Sequence, residues 1–305
     1  MTRSPSGWVD PNPPDPVDRR TAAVLVVSGV LLTALVIVTL IAVVLVSTHL
    51  HERTSKPEDL MLLAANTATA NPFTRSILVA PVVISDATAA KNAEILRQVP
   101  VRADRGVRVA SGRLPGLYGA TGQTAPCDTA TLANDLDQDP TTARTWGLAL
   151  GITPQQIPHY LNTLTPVIAL ADTWVTTHQL VDKVAEPHQA VLQRGSAVLV
   201  DTLGVPRVQC SSGAPLTPPD FERFGSLRLI GDNWAEFSPD RIVAVNYSGS
   251  DPPELPDSFI LLDVNSAQQV VRESGNTIYL PGASVPLPDP AVMNVPPSKQ
   301  ERGHP

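Results

Sequence analysis

Residues 195–210 read GSAVLVDTLGVPRVQC. Two apolar, β-branched runs, Gly195–Asp201 and Val205–Cys210, flank the tight connection Thr202-Leu203-Gly204. That arrangement predicts a β-hairpin. Pro215–Pro219 closes the unit on its C-terminal side. Working outward, Val167–Leu170 and Thr173–Thr177 read as strands before the hairpin, and Arg241–Tyr247, Phe259–Val264 and Thr277–Leu280 as strands after it.

The period changes upstream of the strands. Asp128–Asp137 reads as a short helix. Asp139 is a good N-cap with Pro140 at the first helical position, leading into Thr141–Leu150, and Gly151 stops that helix. Thr153-Pro154-Gln155-Gln156 carries the capping-box pattern for a further helix through Leu164, ended by Pro166. Asp128–Leu164 is therefore expected as a small helical unit. Ala89–Gln98 reads as another helix, with Asp86 as a cap just upstream. Ile77–Ser85 (ILVAPVVIS) is an apolar run of strand length, with Pro81 marking a bulge or an edge. Pro57–Leu63 reads as a brief helical extension, and no internal repeat is present.

The N-terminal run Thr21–Val46 holds seventeen Val, Leu or Ile and no charge. It exceeds the roughly 20 apolar residues that cross a bilayer core. Arg19 and Arg20 abut its N-terminal side, and the far side is mixed in charge. The positive-inside tendency then predicts an uncleaved, single-pass anchor in the cell membrane. Its N-terminus is expected in the cytoplasm and its C-terminal part outside. The expected organisation is a disordered cytoplasmic tail (1–20), a transmembrane helix (21–48) and a stalk (49–75). An extracytoplasmic domain (76–219), a β-rich extension (220–280) and a disordered tail (281–305) follow. The fold class expected is α+β: a small helical unit packed on antiparallel strands, behind a single N-terminal transmembrane helix.

Composition excludes more than it assigns. The 305 residues carry a net charge of −7, with no basic stripe of the kind nucleic-acid binding needs. Expected partners are membrane lipid and an envelope protein or ligand, not nucleic acid. The two cysteines, Cys127 and Cys210, are an even count on the side expected to be oxidising, which favours a disulfide over two free thiols. A metal site needs clustered His or Cys, and the spacing offers none. No cofactor motif is present.

Several segments together resemble a known domain. They are Pro115-Gly116-Leu117-Tyr118-Gly119, Cys127-Asp128, Leu164-Thr165-Pro166-Val167, and Asp172-Thr173 with Val175-Thr176 and His178. Val198-Leu199-Val200-Asp201, Gly204-Val205-Pro206-Arg207 and Pro215-Leu216-Thr217-Pro218-Pro219 complete the set. The series, over about Pro115–Pro219, resembles a domain of unknown function found in actinobacterial proteins, often behind a transmembrane helix. The pattern departs from that domain at Leu170, Trp174, Ser212 and Ala214. The resemblance implies an envelope-facing protein and carries no activity with it.

Asp135, Asp137 and Asp139 mimic the start of a calcium loop, but Pro140 and Trp146 stand where that loop needs Gly and Glu, so capping and solvation explain the acids. Asp172, Thr176 and His178 form the candidate polar site, because alternate residues of a strand share a face. Such a set suits general acid–base work or a structural hydrogen-bond network. No nucleophile elbow, HExxH or paired-carboxylate signature accompanies it. The expectation is a non-enzymatic binding module with no catalytic residues. The alternatives are an envelope-acting enzyme using Asp172 and His178, and a structural accessory subunit of a membrane complex.

Overall fold

The computed structural model describes residues 34–42, 59–102, 107–122, 124–221, 227–245, 258–280, 285–288 and 293. The chain divides into two compact units, Met1–Pro57 and Glu58–Pro305. In the first unit, 34–42 is helical, with Thr39 Oγ1 donating to the Leu35 and Val36 carbonyls. Among the described residues no helix is long and apolar enough to cross a membrane. The expected transmembrane helix over 21–48, and the single-pass, N-inside membrane placement built on it, are therefore not supported. The remainder of that segment, 21–33 and 43–48, lies outside the described residues, as do the tail 1–20 and residues 49–58 of the stalk.

The expected fold class is corrected as well. In place of a helical unit on antiparallel strands, the second unit is mostly one large mixed sheet of thirteen strands, with few helices. The strands are β1 Asp59–Leu63, β2 Arg108–Ala110, β3 Tyr118–Ala120, β4 Thr165–Ala169, β5 Thr173–Val181, β6 Val184–Leu192 and β7 Ala197–Val200. They continue as β8 Pro206–Gln209, β9 Ala214–Thr217, β10 Arg228–Ile230, β11 Val243–Val245, β12 Ser258–Asp263 and β13 Gln269–Glu273. Their order is β10-β1-β6-β5-β9-β8-β7-β4-β3-β12-β13, with β11 joining β5 to β2. Five pairings are parallel: β1 with β10 and β6, β11 with β2 and β5, and β12 with β3. The sheet thus draws on stretches read as stalk and as extension. Parallel pairing needs distant chain, which a strand-by-strand reading does not reveal.

The hairpin forms as expected, with Val198 opposite Gln209 and Leu199 opposite Val208. Asp201 Oδ1 accepts the Leu203 and Val205 amides, and Tyr118 Oη donates to the Gly204 carbonyl at 2.7 Å. Gly204 has φ of +78° and packs so tightly on Gly112 that an added Cβ would lie 2.2 Å from the Gly112 oxygen. Only glycine satisfies both demands.

The apolar runs are nearly continuous because the sheet is buried on both faces. Ala197 and Leu199 join one core cluster with Trp146, Leu161 and Ile168, while Val198 and Val200 join a second with Leu96, Val175 and Phe259. The helices are α1 Asp86–Arg97, α2 Thr129–Gln138, α3 Pro140–Leu150 and α4 Ile157–Thr163, the last preceded by a 3₁₀ turn at Pro154–Gln156. Asp139 caps α3 through the Thr141 and Thr142 amides, Gly151 ends it at φ +71°, and Thr153 N donates to Gln156 Oε1 in the capping box.

Three local readings differ from the structure. Residues 59–63 are a strand rather than a helical extension, held between β6 and β10. Ile77–Ser85 is not a strand. Its Ile77 and Val79 amides go to the Cys210 and Pro126 carbonyls, and only an isolated bridge joins Leu78 to Cys127. Thr277–Leu280 is not a strand either, and β13 lies earlier. Residues 281–305 are largely outside the described residues, but Met293 is buried in the core and its carbonyl accepts from Arg207 Nη1 at 2.9 Å.

Candidate functional site

Thr176 and His178 lie two residues apart in β5, but Asp172 lies ahead of that strand, and the structure does not bring the three together. Six residues of extended chain separate Asp172 from His178, about 20 Å at about 3.3 Å per residue. Thr176 Oγ1 donates to the Pro218 carbonyl at 2.9 Å and accepts Gln189 Nε2 at 2.9 Å, while Gln189 Oε1 accepts the Asp220 amide. This network stitches β5, β6 and the chain after β9. His178 is 3% exposed, with Nδ1 3.0 Å from the Pro215 carbonyl. A carbonyl only accepts, so Nδ1 carries a proton, and burial favours the neutral ring. Both side chains are structural.

Burial pushes the His178 imidazole down to about 4. The unfolded imidazole takes up a proton near pH 6.5, so between 6.5 and 4 the unfolded state binds more protons. Stability is then full above pH 6.5 and falls as the pH drops toward 4, by about 3 kcal/mol from this group. Urea unfolding from pH 7.5 to pH 4 should show that slope, and His178→Gln should lose it. An identical pH slope in both proteins would rule the assignment out.

Asp172 behaves differently. It lies just ahead of β5, where the sheet forks: β6 follows β5 along its whole length, while on the other side β11 pairs its start and β9 its middle. The Val243 amide bonds the Asp172 carbonyl, fixing the fork. Asp172 is 8% exposed, and its carboxylate accepts the Arg194 amide at 2.8 Å and the Trp234 indole N–H at 3.1 Å. Burial raises its pKa, opposed by those two donors.

The fork opens a cleft of about 660 Å³ with Asp172 at its base. One wall is α1, through Ala89, Ala93, Leu96 and Arg97. Helix α1 starts at the Ser85 cap and is tied down by Asn92 Nδ2 to the Gly116 carbonyl and Thr88 Oγ1 to the Asp263 carbonyl. Arg108 of β2 and Arg241 ahead of β11 form a second wall, and the 234–236 segment forms a third. That segment is latched by Trp234 to Asp172, by the Arg194–Glu236 ion pair, and by edge-on stacking of Trp234 on Phe237 at 5.1 Å. The cleft gathers four arginines, Arg97, Arg108, Arg194 and Arg241, against three acids, Asp172, Glu236 and Asp240. Among the described residues no Ser, Thr, Cys, His, Lys or Tyr lines it.

Of the candidate residues, Asp172 lines this cleft and Thr176 and His178 do not. Sequence reasoning missed the arginines and Trp234. They come from four separate stretches of chain, and no local spacing marks them. Cys127 and Cys210 lie at disulfide distance, with sulfurs 1.99 Å apart, at the opposite end of the hairpin from its turn.

A family model described as a domain of unknown function (DUF6777) matches residues 108–275. The match runs from Arg108 past β13, beyond the stretch 115–219 that carries the sequence resemblance, and leaves α1 outside. No curated protein and no solved structure matches the chain.

Proposed function

The chain belongs to the DUF6777 family, a domain of unknown function, and on that premise we propose that it is a non-enzymatic binding module whose ligand lies in the cleft over Asp172. The observation that carries this reading is the cleft itself. About 660 Å³ falls within the roughly 300–1,000 Å³ of small-molecule sites. Its lining combines apolar Leu96, Leu170 and Ala171 with charged groups. Apolar burial supplies affinity in such a site, and a few placed polar groups supply orientation.

The same geometry argues against the enzyme alternative. Nucleophilic catalysis needs a nucleophile within hydrogen-bond reach of a base. Among the described residues the cleft lining holds no hydroxyl, thiol, amine or imidazole, and its carboxylates Asp172, Glu236 and Asp240 are each engaged by a donor or cation. His178 is buried elsewhere, bonded to a carbonyl.

Ala93 is an exposed helical residue on the α1 wall, so Ala93→Trp should fill the cleft without disturbing the core. A panel of amino acids, sugars, organic acids and nucleotides is screened by thermal unfolding of the full chain. A ligand at a hundred times its Kd should stabilise the wild type by about 2.7 kcal/mol and leave Ala93→Trp unmoved. A panel without hits, or a hit that shifts both proteins equally, counts against the reading.

A further inference from the structure

We propose that the cleft ligand is a small organic anion, with a carboxylate or phosphate head held by Arg97, Arg108 and Arg241 and an apolar or planar body lying toward Trp234. This rests on the binding-module reading and names its ligand class.

The first ground is how the charges are engaged. The chain as a whole carries −7, yet the cleft holds four arginines against three acids. The acids already have partners. Asp172 accepts two N–H donors, Glu236 is ion-paired with Arg194, and Asp240 takes the Ser238 hydroxyl. Three of the arginines are less engaged. Arg108 gives one guanidinium arm to the Val99 carbonyl. Among the described residues, the Arg97 and Arg241 guanidinium groups make no hydrogen bond or ion pair, although Arg241 is sequence neighbour to Asp240. A guanidinium carries five N–H donors in a planar fork that matches a carboxylate or phosphate. A cationic ligand would meet acids already occupied; an anion meets donors still open.

The second ground is convergence. Arg97 stands in the last turn of α1. The chain leaving α1 turns back at Val101, which bridges to Arg108. Arg108 in turn pairs with Val243, two residues beyond Arg241, and its amide bonds the Ile242 carbonyl. One helix end and two adjacent parallel strand starts therefore bring three arginines to the lining of a single cavity. The third ground is the rest of the lining. Leu96, Leu170 and Ala93 offer apolar surface, and Trp234 is half-buried with its N–H fixed on Asp172. A bare inorganic ion would leave that surface unused.

Isothermal titration of the full chain tests this with five probes: phenyl phosphate and benzoate, which carry head and body; inorganic phosphate and acetate, head alone; and benzyl alcohol, body alone. Phenyl phosphate or benzoate should bind at least tenfold more tightly than benzyl alcohol and than its own head group. Whichever is tighter identifies the head as phosphate or carboxylate. Arg97→Glu with Arg241→Glu should weaken binding at least a hundredfold. Both residues are exposed, and the neutral pair Arg97→Gln with Arg241→Gln should show a smaller loss in the same direction, with unfolding midpoints unchanged. Benzyl alcohol binding as well as benzoate, or indifference to the charge reversal, overturns the anionic class and leaves the binding module standing. So does a neutral or cationic hit from the metabolite panel that Ala93→Trp abolishes while all four anions fail. Failure of every probe and of the panel overturns both.

Discussion

Replacing Cys127 and Cys210 with serine should lower the free energy of unfolding by about 4.5 kcal/mol. The bridge spans 83 residues of sequence, and cross-linking that far apart removes loop-closure entropy from the unfolded chain. For a chain of this size the loss corresponds to roughly 10 °C or more in unfolding midpoint. The setting argues for the full effect. Both cysteines are buried in the same core cluster as Ile77 and Leu132. Segment 73–79 lies against both ends of the bridge, with its amides on the Ser212, Cys210 and Pro126 carbonyls and the Asp128 amide returned to Ile77. Losing the bridge therefore also loosens the attachment of 73–79, which can only add to the entropic term. Denaturant melts of the oxidised protein against the double-serine variant measure the difference. A loss under about 1 kcal/mol would show that the unfolded chain is already constrained by other means.

The second large effect belongs to Asp201 and Arg207. Arg207 is fully buried and Asp201 nearly so, and Arg207 Nε donates to Asp201 Oδ2 at 2.8 Å. Removing one member of a buried pair strands the other charge, at a cost of about 3–5 kcal/mol. Asp201→Asn keeps the acceptor that holds the hairpin turn through Leu203 and Val205, so its loss isolates the charge. Arg207→Met removes the cation and also the donor to the Met293 carbonyl. Each single substitution should fall in that range. The double substitution should cost at least about 2 kcal/mol less than the sum, because the two side chains are directly coupled. Strict additivity in the cycle would mean that the pair is not coupled and that the turn alone explains the losses. The pair gives the Asp201 and Arg207 positions of the family resemblance a structural reason.

The two effects differ in how far the sequence foretold them. The bridge was expected from an even cysteine count together with an oxidising placement that the structure does not support, and the pairing stands on its geometry. The ion pair was not foreseen, since Asp201 and Arg207 read as ordinary hairpin residues until burial turned them into obligate partners.

The local punctuation of the chain was legible because it is resolved within a few residues. Asp139 and Pro140 start α3, Gly151 ends it, and Thr153 and Gln156 box the next turn, each through contacts at most four residues apart. The hairpin at 195–210 belongs to the same class. Strand β6 escaped notice because Pro187 and its polar neighbours weaken the pattern; there the strand has only β5 beside it, and β1 joins from Gln189 onward. Proline is tolerated where one side of a strand is unpaired. The Asp182-Lys183 turn that precedes it takes φ of +48° and +66° without glycine.

By itself, then, the sequence determined the start and stop of α3, the capping box of the turn after it and the central hairpin, whereas α1 begins just after the Ser85 cap, three residues ahead of its expected start. Tertiary structure alone decided that 59–63 is a strand, that the sheet is mixed and large, that Asp172 parts company with His178, and that four arginines meet in one cleft. The reason is range. A cap or tight turn satisfies its hydrogen bonds with its neighbours, so composition reveals it. Leu60 finds its partner at Gln189 and Arg108 at Val243, and only the folded register tells which distant chain supplies the missing bonds.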